Sequence, residues 1–211
     1  MLKEAFKYPR KSKEFYRLMV LGGVLNFFKY LFFPVLFVYG YFADVLRTTV
    51  DGRKTPPRFE DGERLFVDGF KYLVIGLAYM LVPLIVSMIG GPRSMAQTLS
   101  GFWGFVTFLV LVLTVYVLPV ALTNFARKSR FRAGFDLKLV KRIAGTMDYL
   151  NAFVMCFVAY LAGGFLTLLM VILLALTFLG AVLVPVAPSF VMFYFGIAGH
   201  RIIARGFKRA L

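Results

Sequence analysis

Cysteine and histidine are almost missing from this sequence of 211 residues, which has one of each, Cys156 and His200. A single cysteine excludes an intramolecular disulfide framework, and two lone residues offer no recognisable zinc site and no cysteine–histidine dyad. The sequence also lacks a phosphate-binding glycine loop followed by Lys and Ser or Thr, and it lacks a dinucleotide-binding fingerprint. We therefore nominate no catalytic, metal-binding or cofactor-binding residue.

Acidic residues are scarce as well. There are 10 Asp and Glu against 25 Lys and Arg, which gives a formal net charge of +15. The cations lie in short segments that flank apolar runs, and this positive-inside arrangement holds connecting segments on the cytoplasmic side, against anionic lipid. Because the cations border apolar runs, we expect anionic membrane lipids as partners and no nucleic acid.

Apolar residues are abundant instead. They make up 60% of the chain, only 17% is charged, and the mean hydropathy is +0.79. A soluble domain of this length cannot bury so large an apolar share, and unbroken runs of about 18 or more apolar residues are typical of membrane spans. The sequence predicts an all-α, polytopic transmembrane helix bundle, with residues 1–211 forming one integral domain in the cell membrane.

The predicted bundle begins with a basic interfacial arm over residues 1–17. About five spans follow, kinked at prolines, over 18–46, 70–89, 99–125, 147–170 and 180–203. Amphipathic interfacial segments are predicted over 55–69 and 133–144. The last two spans share one apolar tract, which reverses at Gly163-Gly164 or near Gly180. The basic tail after the last span predicts a cytoplasmic C-terminus.

The side of the membrane that holds the N-terminus is left open by the sequence. Five clean crossings place it outside, although its arm is strongly basic. A bent, re-entrant hairpin over the first apolar run would keep the arm inside. That run is short for two crossings at 1.5 Å per residue, so we favour the single span.

A degenerate internal repeat is suggested by three prolines with an arginine at the same offset after each. The pairs are Pro34 with Arg47, Pro119 with Arg132, and Pro188 with Arg201. A real repeat would make the first, third and fifth spans equivalent, all ending in the cytoplasm.

Polar residues gather at the predicted cytoplasmic helix ends. The candidate polar ring consists of Asp44, Arg47, Asp68, Lys71, Asn124, Arg127, Asp148, Asn151, His200 and Arg201. Such a ring could bind an anionic headgroup, hold a cation or relay protons, or it could be polar only because helix ends meet water. Lys29 is the one cation well inside an apolar segment, where it either marks function or extends its ammonium group to the interface.

The first polar connection and the helix after it carry a distinctive pattern: Gly40-Tyr41, Arg47, Pro56-Pro57-x-Phe59-x-Asp61, Leu65-Phe66-x-Asp68-Gly69-x-Lys71, Tyr79 and Pro83. With Gly22-Gly23 and Pro188-x-Phe190, it resembles an archaeal family of multi-pass membrane proteins, domain of unknown function 4013 (DUF4013). Members are expected to have a tryptophan in the N-terminal segment and often another after Asp61, where this chain has Phe15 or Tyr16 and Gly62. The resemblance covers most of the chain. It implies a location and a topology but no established activity, so no functional residue is carried over.

These observations favour a non-enzymatic scaffold or interaction protein at the cytoplasmic membrane face, in contact with anionic lipid. A membrane-protein partner or a second copy of the chain would complete the assembly. One alternative is a transporter or channel for ions or small solutes, with a path past Lys29, although few interior residues are polar. The other is an intramembrane enzyme that acts on lipid, with Asp44, Asp68 or Asp148 as acid or base.

Overall fold

The computed structural model describes residues 2–28, 31–89, 101–177, 183–184 and 186–211, and this part of the chain contains helices and no strand. The α-helices are α1 (Leu2–Lys7), α2 (Phe15–Phe27), α3 (Phe32–Val50), α4 (Gly62–Ile89), α5 (Phe102–Lys128), α6 (Leu137–Ala144), α7 (Met147–Ala175) and α8 (Ala187–Ala210). Two 3-10 turns cover Pro9–Lys11 and Phe131–Phe135. The predicted all-helical class is confirmed.

Three of these helices, α4, α5 and α7, are long and apolar enough to cross a membrane. They contain 28, 27 and 29 residues, so each is about 40 Å long, more than the roughly 30 Å of a bilayer's hydrocarbon core. Each overlaps one predicted span, whereas the predicted count of five is not confirmed. The helix α2 is apolar but shorter, at 13 residues.

The first apolar run is divided in the structure, which corrects the single helix predicted over 18–46. Helix α2 ends at Phe27, Leu31 has an extended backbone, and α3 begins at Phe32. Pro34 follows within the first turn of α3, where its missing N–H costs nothing, whereas inside a continuous helix the same residue would remove a hydrogen bond and kink or break the helix. Both helices pack on α8. The structure therefore has the bent pair of helices that the sequence left as the alternative.

The chain does not reverse at Gly163-Gly164, one of the two positions predicted for the last apolar tract. Helix α7 continues through Gly163-Gly164 to Ala175, and α8 begins at Ala187. Gly163 is instead a packing position, because an added Cβ there would meet the ring of Phe195. The other predicted position, Gly180, lies outside the described residues.

The helices α3 and α4 cross with their backbones in contact. A Cβ added to Gly40 would overlap the carbonyl oxygen of Leu65, and one added to Gly69 would overlap the carbonyl oxygen of Leu36. Small residues permit this close approach between membrane helices. The crossing places the first turns of α4 against the first half of α3.

The predicted amphipathic segments are only partly helical. Residues 55–61 are not helical, and α4 runs from Gly62 into its apolar part without a break. In the second segment, Asp136 caps α6 by accepting a hydrogen bond from the backbone N–H of Leu139 at 3.2 Å. Val140 and Ile143 of α6 are buried, and its basic residues are exposed.

The three proline–arginine pairs of the predicted repeat do not occupy equivalent positions in the structure. Pro34 and Pro188 lie in the first turns of α3 and α8, whereas Pro119 lies inside α5. Arg47 and Arg201 are largely buried and lie within their helices, but Arg132 is exposed in a 3-10 turn. Only the first and third pairs share a structural role.

Candidate functional site at the polar end of the bundle

One end of the bundle collects most of the buried polar contacts, and we call it the polar end. Here Arg47, near the end of α3, donates from Nε to the carbonyl oxygen of Ala126, near the end of α5, at 2.9 Å. Arg201 of α8 donates from Nη1 to Oγ1 of Thr49 at 2.9 Å. These contacts bring the last turns of α3 and α5 together and place the end of α3 against the middle of α8.

An ion network joins α3 to the beginning of α4. Arg47 donates from Nη1 to Oδ1 of Asp44 at 2.6 Å and from Nη2 to Oδ2 of Asp68 at 2.8 Å. Arg64 donates from Nη2 to the other oxygen of Asp44 at 2.7 Å. Both buried carboxylates are therefore paired with arginine, and Arg64 also forms an ion pair with the exposed Asp61 at 3.4 Å.

The burial of this network explains why its pairing is complete. Asp44 and Asp68 are only 3% and 6% exposed, and a buried carboxylate is tolerated only when it is paired and hydrogen-bonded. Asp44 and Arg47 share one face of α3 because they are three residues apart. The crossing at Gly40 and α4 then brings Asp68 to the same guanidinium.

A charged pocket of about 440 Å³ opens beside the network. Its charged lining residues are four arginines and four acids: Arg47, Arg53, Arg58 and Arg64, with Asp44, Asp51, Glu60 and Asp61. Equal numbers of the two signs do not select an ion of either sign. The pocket adds no ligand specificity to the network.

Arg201 belongs to a second polar cluster, which fixes the N-terminal arm. Its guanidinium lies 4.1 Å from the centre of the Tyr8 ring and also donates to the carbonyl oxygen of Arg53 at 2.8 Å. Tyr8, which is 1% exposed, donates to the carbonyl oxygen of Thr55 at 3.1 Å. The Nε of Arg201 is buried without a hydrogen-bond partner in the described part of the chain.

The arm is also fixed along α8, from Tyr194 to Arg205. Glu4 forms an ion pair with Arg205, whose hydrogen bond and charge lower the pKa of the Glu4 carboxyl. The Tyr194 hydroxyl donates to the carbonyl oxygen of Phe6, and the Phe6 ring packs edge-on against Phe195. The arm and the end of α8 therefore lie on the same side of the bundle.

Asn124 is fully buried and holds the turn that follows α5. Its Nδ2 donates to the carbonyl oxygen of Ala133 at 2.6 Å, and Tyr79 donates to the carbonyl oxygen of Gly134 at 2.9 Å. The Oδ1 of Asn124 has no hydrogen-bond partner within the described ranges. Asn124 is a structural member of the polar end, separate from the ion network.

His200 lies inside the bundle, away from the ion network. Its Nδ1 lies 2.7 Å from the carbonyl oxygen of Gly196, and its Nε2 lies 2.8 Å from the Tyr72 hydroxyl. A carbonyl only accepts, so Nδ1 carries the proton and Nε2 accepts from Tyr72. The ring stacks on Phe42 at 4.3 Å between centroids. Both nitrogens are thus engaged in internal contacts.

The remaining members of the predicted ring do not join it. Among the described residues, no side-chain hydrogen bond or ion pair links Lys71, Arg127, Asp148 or Asn151 to the network, and the last three are exposed. Lys29 lies outside the described residues. The structure therefore brings together Asp44, Arg47 and Asp68 from the predicted set, and adds Arg64.

Arg64 was missed because the sequence offers it as one of several charges on an amphipathic segment. Its spacing of four residues from Asp68 places both on one face of α4, and this signal could have found it.

No group of three or more His, Cys, Asp or Glu that could hold a metal ion occurs in the part of the chain that the structure describes.

The family model that matches this chain covers residues 25–174 and is described as "Protein of unknown function (DUF4013)". The chain belongs to the DUF4013 family. The match includes the ion network and the α3–α4 crossing of this DUF4013 protein, and ends within α7. No curated protein and no solved structure matches the chain.

Proposed function

We propose that this DUF4013 protein is a non-enzymatic membrane scaffold whose polar end rests on the cytoplasmic leaflet and binds anionic lipid headgroups. One observation supports this most. The two buried carboxylates of the polar end are paired with arginine, whereas many exposed cations have no ion-pair partner among the described residues. They include Lys3, Lys7, Arg10, Lys11, Lys13, Arg53, Lys54, Arg127, Arg130, Arg132, Lys138, Lys141, Arg142, Lys208 and Arg209.

Helix α6 supports the same proposal. Val140 and Ile143 face the core, while Lys138, Lys141 and Arg142 are exposed. The core thus holds the apolar face of α6 and leaves its basic face free, and each Lys or Arg near an anionic surface contributes about 1 kcal/mol of attraction. The helix lies in the connection between two candidate spans, α5 and α7.

The charge of this end supports the cytoplasmic orientation. The basic arm contacts the C-terminal part of α8 through Glu4 and Arg205, so both termini share one face, and cationic connections tend to be retained in the cytoplasm. The divided first run supports this arrangement, because a bent pair of helices returns the chain to the side from which it entered.

The test compares the protein in nanodiscs of zwitterionic lipid with the protein in nanodiscs that also contain phosphatidylglycerol. We expect the anionic lipid to raise the unfolding temperature, and we expect added salt to weaken that effect because surface charges are screened. The triple variant Lys138→Gln/Lys141→Gln/Arg142→Gln should lose about 3 kcal/mol of the attraction. The matched control Lys138→Arg/Lys141→Arg keeps the charge and should behave as wild type.

Equal unfolding temperatures in the two lipids would contradict the proposal, as would a triple variant that keeps the full response to phosphatidylglycerol. The enzyme alternative has less support, because both buried carboxylates of the network are bonded to arginine. Turnover of lipid that is lost in Asp68→Asn would favour that alternative, and solute flux through liposomes would favour a transporter.

A further inference from the structure

A groove of about 850 Å³ lies between α2 and α7, with α8 as its floor. Helix α2 packs closely on α8 because the ring of Phe193 lies where a side chain on Gly22 would be. Helix α7 packs on α8 through Gly163, against the ring of Phe195. Both helices therefore lie against the same stretch of α8 and leave the groove between them.

The groove is mostly apolar and has one charged side chain, so its lining matches an amphiphilic ligand. Met19 of α2, Leu169 and Leu173 of α7 and Val191 of α8 give it an apolar lining. Among the described residues that line it, Arg10 alone is charged. Arg10 belongs to the arm, which the Tyr8 and Glu4 contacts fix at the polar end, so the cation lies at the headgroup end of the groove.

The deep part of the groove faces hydrocarbon. Helix α7 is a candidate span, and Leu169 and Leu173 are 43% and 57% exposed. The lining of α7 from Leu166 to Leu173 extends about 10 Å along the helix axis, roughly two-thirds of one leaflet's hydrocarbon. Tyr16, 83% exposed beside the groove, has the amphipathic ring that is enriched at the membrane interface.

We propose that this groove binds one anionic phospholipid, with its phosphate at Arg10 and an acyl chain along α2 and α7. Arginine pairs well with phosphate, and Arg10 is exposed and has no ion pair within the described ranges. A second copy of the chain would bring another basic arm to a basic arm, and like charges oppose that contact. The proposal rests on the proposed function, because it assigns one specific site to the anionic lipid.

The experiment uses the full-length protein with Trp103→Phe, which removes the single tryptophan of the sequence. Leu169→Trp then places a fluorescent probe in the groove, and Leu113→Trp, on an exposed face of α5, is the matched control. Fluorescence quenching is measured in vesicles that contain brominated phosphatidylglycerol or brominated phosphatidylcholine. We expect phosphatidylglycerol to be favoured about fivefold at position 169, the ratio that one cation near the surface contributes, and not at position 113.

Arg10→Ala should reduce the ratio at position 169 to that at position 113, whereas Arg58→Ala, at an exposed arginine that is paired with Glu60 and does not line the groove, should leave it unchanged. Arg10 is exposed, so its variant should keep the wild-type unfolding temperature in zwitterionic lipid. Equal ratios at the two probe positions, or a fivefold ratio that survives Arg10→Ala, would overturn the proposal. Absence of lipid quenching at position 169 together with a dimer mass would also overturn it, because a second copy would then fill the groove.

The two proposals fail separately. If the α6 triple variant loses its response to phosphatidylglycerol while Arg10→Ala leaves the quenching ratio unchanged, the groove proposal alone is wrong. If the quenching ratio at position 169 is fivefold and depends on Arg10, but phosphatidylglycerol does not change the unfolding temperature, the groove is a lipid site and the general scaffold proposal is wrong.

Discussion

Replacing Arg47 with methionine tests whether the ion network stabilises the fold. The Arg47 side chain, 16% exposed, makes two ion pairs and one hydrogen bond to a backbone carbonyl, all at 2.9 Å or less. Methionine has similar length but no charge, so Asp68 would lose its ion-pair partner and Asp44 would keep only Arg64. Because removing one partner strands a buried charge, we expect the free energy of unfolding to fall by about 3–5 kcal/mol.

The measurement is reversible unfolding in mixed micelles of a mild detergent and sodium dodecyl sulfate. The matched control is Arg58→Met, because the Arg58 side chain is 58% exposed and its ion pairs are longer, at 3.4 and 3.9 Å. Exposed pairs contribute about 0–1 kcal/mol, so this control should lie near wild type. Adding Asp68→Asn to Arg47→Met should recover part of the loss by removing the stranded charge. A loss for Arg47→Met no larger than that for Arg58→Met would refute the reasoning.

Three further variants test the packing around the site, two by the same unfolding measurement and one by proteolysis. Gly40→Ala should destabilise the protein by about 1–3 kcal/mol because its Cβ overlaps the α4 backbone, whereas Gly76→Ala, with open space around its Cβ, should be neutral or slightly stabilising. A neutral Gly40→Ala would show that the helices do not cross there. Asn124→Ala should cost about 1–3 kcal/mol through the lost bond to the turn after α5, and a smaller change would place that turn elsewhere. Tyr8→Leu should speed trypsin cleavage of the arm without changing cleavage elsewhere, and unchanged arm cleavage would contradict its docking.

The sequence predicted the all-helical class because long apolar runs leave few alternatives to membrane helices. It did not predict that the first run would divide before Phe32. The proline signal was present at Pro34, but a proline in an apolar run is compatible with either a kink or a new helix. Similarly, Gly163-Gly164 looked like a reversal because glycine favours turns, and tertiary packing against Phe195 decided otherwise.

The site was predictable where its residues are close in sequence. Asp44 and Arg47 share a helix face by their spacing, and this follows from periodicity alone. Asp68 joins them only because α3 and α4 cross at Gly40, which is a tertiary contact. The docking of Tyr8 on Arg201 joins residues at opposite ends of the chain, and no local pattern indicates it.

The most direct test of the account is to determine on which side of the membrane the polar end lies. In a Cys156→Ala background, single cysteines at Lys54, Arg130 and Lys208 would be labelled with a membrane-impermeant maleimide in right-side-out and inside-out vesicles. All three residues are exposed in the structure. We expect all three positions to react only from the cytoplasmic side. Labelling of positions 54 and 130 from opposite sides would contradict the single polar end, and labelling of all three from outside would contradict its proposed contact with the cytoplasmic leaflet.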